Sequence, residues 1–116
     1  MSNTLTYKGL SARIDFDAED NIFFGRLLGT SDVVGFHADT VADLRTAFEE
    51  AVDDYVETCR QLGKEPLKPT SGKMMLRVPP DVHSAALKAA EAAGTSLNQW
   101  AAKVLGEAAG LRQHRA

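Results

Sequence analysis

Lys73-Met-Met-Leu-Arg-Val-Pro-Pro-Asp81 is the stretch that decides the fold. Its first six residues predict a short strand, Lys73–Val78, stopped by Pro79 and Pro80 because proline donates no ladder hydrogen bond. Asp81–Ala93 follows as a helix with Val82, Ala86, Ala89, Ala90 and Ala93 on one stripe, ended by Gly94. Ser96 and Gln99 have capping-box spacing and open a second helix, with Leu97, Trp100, Ala101, Val104, Leu105 and Ala108 on its apolar face. A strand and two helices of about forty residues bury too little apolar surface to stand alone, and the strand has two open edges. The N-terminal sheet is one partner for it, and the proline-containing linker makes a second copy of the same strand at least as good a partner. In the resulting two-stranded antiparallel ribbon, Met74, Leu76, Val78 and Trp100 form a shared dimer core. Lys73, Met75 and Arg77 then face outward as a basic ribbon that the DNA major groove admits.

Toward the N-terminus, Lys64–Gly72, with Pro66, Pro69, Ser71 and Gly72, breaks all periodicity and reads as a linker about 20–30 Å long if extended. Before it lies a long helix. Thr40 is the expected N-cap, Asp43 suits the first-turn dipole, and Gly63 ends the helix. Val41, Leu44, Phe48, Ala51, Val52, Tyr55, Val56, Cys59 and Leu62 form its apolar stripe, opposite an acidic face of Glu49, Glu50, Asp53, Asp54 and Glu57. Ser11–Asp17 alternates as a half-buried strand, and a polar turn through Asn21 joins it to Ile22–Leu28 as a hairpin. Val33–Ala38 is the third strand expected, with Gly35 as a bulge. The predicted class is therefore α+β, a small three-stranded antiparallel sheet with one long helix, plus the tail. The expected boundaries are a front domain at 1–63, a linker at 64–71, the tail module at 72–110 and a frayed end at 111–116.

The formal charge of −3 is unevenly spread: residues 1–66 carry six Lys or Arg against thirteen Asp or Glu, and residues 67–116 carry seven against three. The basic back suits an anionic ligand such as nucleic acid, and most of the acidic front does not. A chain of 116 residues has room only for small modules. No apolar run nears the roughly 20 residues that span a bilayer, and Met1–Leu10 shows no export or organelle pattern. The single Cys59 excludes an internal disulfide, so a soluble cytoplasmic protein with no membrane partner is expected.

Lys73-Met-Met-Leu-Arg-Val-Pro-Pro-Asp-Val82 followed by Ala93-Gly-Thr-Ser-Leu-Asn-Gln-Trp100 resembles the ribbon-helix-helix module of the MetJ/Arc class. That resemblance implies base contact by Lys73, Met75 and Arg77, and phosphate contact by Thr95, Ser96 and Leu97. A helix N-terminus suits a phosphate on physical grounds as well. Met75 departs from the class, in which a polar residue is commoner. The front half resembles the HicB antitoxin family in Tyr7-Lys-Gly-Leu-Ser-Ala-Arg-Ile14, Asp20-Asn-Ile-Phe-Phe-Gly-Arg-Leu-Leu-Gly29, Phe36-His-Ala-Asp-Thr40 and Tyr55-Val-Glu-Thr-Cys59. The resemblance implies a partial, catalytically dead RNase-H-like domain that blocks a small HicA-type mRNA interferase toxin. The tail would repress the toxin-antitoxin operon by binding operator DNA, as a homodimer or a higher oligomer. No enzymatic activity, cofactor or metal is implied. The alternative is a solitary ribbon-helix-helix transcriptional regulator without a toxin partner, and a metal-dependent RNase is the third reading.

Individual residues have bland readings too. Asp15, Asp17, Glu19 and Asp20 sit on one strand and its turn, so a solvated hairpin face accounts for them better than a metal-nuclease cluster. His37 has no nucleophile or carboxylate at motif spacing. Cys59 lies on an apolar stripe and reads as a buried small side chain. His83 is expected on the solvated side of its helix. Phe23, Phe24, Val33, Val34, Phe36 and His37 are the candidate toxin-binding residues, because they offer more apolar surface than one helix stripe covers.

Overall fold

The computed structural model describes residues 3–111. They fall into two compact units divided between Gly72 and Lys73. The front unit contains β1 (Thr4–Tyr7), β2 (Leu10–Asp17), β3 (Ile22–Leu27), β4 (Gly35–Ala38) and α1 (Val41–Leu62). The tail unit contains α2 (Pro80–Ala92) and α3 (Leu97–Ala108). The class is α+β, as predicted, but the sheet has four strands rather than three, in the antiparallel order β1-β2-β3-β4. The added strand, β1, pairs Thr4 with Arg13 and Tyr7 with Leu10. Its turn is only Lys8-Gly9, with φ of 51° and 77°. Two positive φ values match the twist of a tight hairpin, and a lysine in the first position hides the turn from a search for Asn-Gly or Asp-Gly.

The pleat sorts the sheet into two faces. Leu5, Tyr7, Leu10, Ala12, Ile14, Leu27 and Phe36 pack toward α1, which contributes Phe48, Val52, Tyr55 and Cys59 to the same core. Each fully buried large apolar side chain stabilises this core by about 1.5–3 kcal/mol. Gly25 pairs with both Ile14 and Phe36. A Cβ there would come within 2.8 Å of the Ile14 Cδ1 and overlap the Phe36 ring. The missing side chain lets Phe36 lie 5.5 Å from Phe48, centroid to centroid. The other face of the sheet carries no helix of the unit.

α1 begins and ends as its sequence dictates. The Asp43 amide donates to the Thr40 Oγ1 at 3.1 Å, and Gly63 takes the left-handed conformation, φ 68°, as the Lys64 amide reaches back to the Cys59 carbonyl at 3.0 Å. Leu44, Phe48, Val52, Tyr55 and Cys59 are buried, whereas Val41 and Leu62 at the ends of the expected stripe are exposed. Asp53 fastens the first hairpin to the helix, accepting from the Lys8 Nζ at 2.7 Å and the Tyr7 hydroxyl at 3.3 Å. The third predicted strand is shorter than expected: β4 starts at Gly35, which pairs regularly with Arg26 and is no bulge. Val33 is 84 % exposed in the preceding loop.

In the tail unit, α2 starts with Pro80 at its first position, where a missing N–H costs nothing. Its Ala90 is 2 % exposed. Residues 73–79 form no ladder with any described residue, so the predicted strand is not seen as one. A ladder needs a second strand, and the described residues of this unit contain none. Beyond Leu111 the predicted frayed end lies outside the described residues. No helix among the described residues is long and apolar enough to cross a membrane.

Candidate functional site

The tail unit is a helix pair with an open apolar groove. Leu76, Val78, Val82, Ala86, Ala89, Leu97, Trp100, Ala101, Val104 and Leu105 line a cleft of about 670 Å³. Its origin is local. α2 presents small alanines, α3 presents Trp100 and its branched neighbours, and alanine is too short to close the space between them. Among the described residues of this unit, only Ala90 is fully buried. Three of the four expected dimer-core residues, Leu76, Val78 and Trp100, line the groove; Met74 does not and is 70 % exposed. His83, expected on the solvated side, also borders the groove.

Of the residues read as DNA-facing, Lys73, Met75 and Arg77 are exposed, Met75 almost completely at 96 %. At the start of α3 the capping box is complete. The Gln99 amide donates to the Ser96 Oγ at 3.1 Å, and the Ser96 amide donates to the Gln99 Oε1 at 3.4 Å. Both N–H groups are therefore engaged within the helix end. The Thr95 amide is engaged too, donating to the Ala90 carbonyl at 3.0 Å, whereas Leu97 and Asn98 are the first two helical positions, whose amides have no acceptor within a helix. Asn98 was missed in the sequence, although counting donors from the Ser96 cap finds it.

In the front unit the six candidate toxin-binding residues do not form one patch. Phe36 and Val34 pack against the core, and Phe23 shares their side of the sheet, in contact with Phe16 at 5.4 Å. Phe24 and His37 are cross-strand partners on the opposite face, and Val33 stands in the loop. Asp15 is an ion-pair partner of Arg13 at 3.4 Å, and the Asp17 Oδ1 accepts from the Glu19 and Asp20 amides to form the turn. Cys59 is buried. Among the described residues, no three His, Cys, Asp or Glu side chains gather as metal ligands would.

The connector holds the second arrangement that sequence reading missed. Residues 64–68 are bonded to the β3–β4 loop. The Ser31 amide donates to the Pro66 carbonyl at 3.0 Å and the Lys68 amide to the Gly29 carbonyl at 2.9 Å, with Thr30 and Leu67 as a bridge pair. The Tyr55 hydroxyl donates to the Pro66 carbonyl at 2.9 Å, stands 3.3 Å from the Asp32 carboxylate and accepts from the Asp32 amide at 3.3 Å. Lys64 closes the clasp with Nζ 2.5 Å from the Asp32 Oδ2. That hydrogen bond holds the Asp32 carboxyl below its ordinary value and raises the Lys64 ammonium above its own. A tyrosine on an otherwise apolar helix stripe was the available signal, since a buried hydroxyl needs a partner.

Residues 55–105 match the family model of HicB. The span runs from Tyr55 of the clasp through the connector to α3 and covers less than half of the chain. No curated protein and no solved structure matches the chain.

Proposed function

We propose that the protein is the antitoxin of a toxin-antitoxin pair, with a front unit that binds and blocks an mRNA interferase and a tail that dimerises and represses the operon. The observation that carries the reading is the uncovered groove beside residues 73–78. Large apolar side chains line this opening with nothing of their own unit to cover them, and a segment without a ladder lies at its edge. A second copy supplies both a strand for Met74–Val78 and a cover for Trp100, giving the ribbon-helix-helix arrangement. The basic Lys73 and Arg77 then stand on the outer side of the ribbon, and the Leu97 and Asn98 amides suit a backbone phosphate. The front unit, RNase-H-like in this reading, has no catalytic role. Its acidic α1 face complements a basic RNA-binding toxin.

The test uses the full chain. Leu76→Lys places a charge in the shared core and costs several kcal/mol of dimer stability. Sedimentation should show monomer where the parent is dimer, and an unchanged dimer refutes the assembly. Lys73→Ala with Arg77→Ala should abolish repression of a promoter reporter yet still protect cells from a toxin encoded beside the gene. Loss of protection together with repression would refute the division of labour.

A further inference from the structure

Arg13 and Arg26 stand directly opposite each other on β2 and β3, on the face of the sheet that α1 leaves uncovered. Like charges at directly opposed positions destabilise an antiparallel pair. Arg13 has a partial partner in Asp15, at 3.4 Å on an exposed surface where such pairs are weak. Arg26 takes part in no ion pair among the described residues. One register step along, Phe24 is 42 % exposed between its partners Asp15 and His37. In the row on the other side, the Thr6 and Ser11 hydroxyls lie 2.9 Å apart. An acidic unit thus places two guanidinium groups, an aromatic ring and paired hydroxyls on one face of the sheet, beside the Asp15 and Asp17 carboxylates, with the two arginines opposed against the local stability of the sheet. Such departures from local consistency mark functional surfaces.

We infer that this face binds single-stranded RNA, a role independent of the toxin and operator contacts proposed above. An open four-stranded sheet admits an extended strand whose bases are unstacked. Phe24 offers a stacking platform, Arg13 and Arg26 meet neighbouring phosphates, and the Thr6 and Ser11 hydroxyls lie where a ribose 2′-hydroxyl can bond. A duplex, with paired bases and two charged backbones, has no use for the exposed ring and brings a second backbone toward the acidic remainder of the unit.

The experiment is fluorescence anisotropy with a labelled ten-residue uridine strand. It uses the full chain carrying Lys73→Ala and Arg77→Ala, so that the tail does not contribute. Arg13→Gln with Arg26→Gln should weaken binding about tenfold or more, and Phe24→Thr by a similar factor, since stacking and phosphate contacts are of comparable strength. With two phosphate contacts the salt dependence should be shallow, a log–log slope of about −1.4. Arg26→Thr should raise the melting midpoint while lowering affinity, because it relieves the like-charge pair. Unchanged RNA affinity in both the double-arginine and Phe24 variants, with native far-ultraviolet dichroism, overturns the inference. Equal affinity for a ten-residue deoxythymidine strand overturns the assignment to RNA, and equal affinity for a ten-residue glutamate peptide shows an unspecific anion patch and overturns it too.

Discussion

Removing one oxygen, in Tyr55→Phe, tests whether the clasp fixes the connector to the front unit. The ring is buried, so phenylalanine keeps the packing against Cys59 and Val52 and removes only the hydroxyl. The bond to the Pro66 carbonyl is short at 2.9 Å and contributes about 0.5–1.5 kcal/mol. The contacts to the Asp32 amide and carboxylate, at 3.3 Å, are longer and weaker. Both sites are only part-buried, so water takes over some of what is lost, and the total is about 1–2 kcal/mol. For a unit of this size that lowers the melting midpoint by roughly 5–10 °C. The sharper readout is amide hydrogen exchange. The Ser31 and Lys68 amides, which bond across the clasp, should exchange roughly 5–30 times faster, while amides of β2 change only with global stability. If Ser31 and Lys68 keep their protection in the variant, the connector is held by something other than Tyr55.

The Asp32–Lys64 pair makes stability depend on pH in a stated direction. Asp32 is held below 3.8, so its contribution is complete above that pH and is lost as the pH falls through the folded value; Lys64 is held above 10.5, so its contribution is lost as the pH rises through its folded value. Urea midpoints of the parent and Asp32→Asn should therefore differ between those limits and converge in acid, and a constant difference down to acid pH would contradict the pairing. Gly25→Ala should destabilise by about 1–3 kcal/mol through the clash with Phe36 and Ile14, and a neutral result in chemical denaturation would mean the Phe36 ring is not seated there. Ser96→Ala should cost about 1 kcal/mol by breaking the capping box at α3, read as lost helicity on warming; Gly at the same position should cost less, and the reverse order would refute the cap.

The long helix was legible in the chain because every determinant is local. Thr40, Asp43 and Gly63 set its ends and a three-to-four-residue apolar spacing sets its buried face, down to Cys59. The second hairpin and the capping box were legible for the same reason. β1 was not, because four residues alternate too briefly to stand out and the turn bears lysine where a glycine or asparagine would have marked it. The candidate front-unit residues divide between two faces of the sheet, a division hidden in the sequence because a list of apolar residues carries no register. Phe23 and Phe24 are neighbours in sequence and point to opposite faces of the sheet.

Sequence by itself determined where the chain is helical, where it turns, and that charge divides an acidic front from a basic back. Those properties depend on contacts within a few residues, or on composition alone. Only the tertiary structure decided that Arg13 and Arg26 oppose each other, that Tyr55, Asp32, Lys64 and Pro66 converge, and that Trp100 borders an open groove. These juxtapositions join residues far apart in the chain through strand register and helix packing, and register is fixed only when a whole face finds its core.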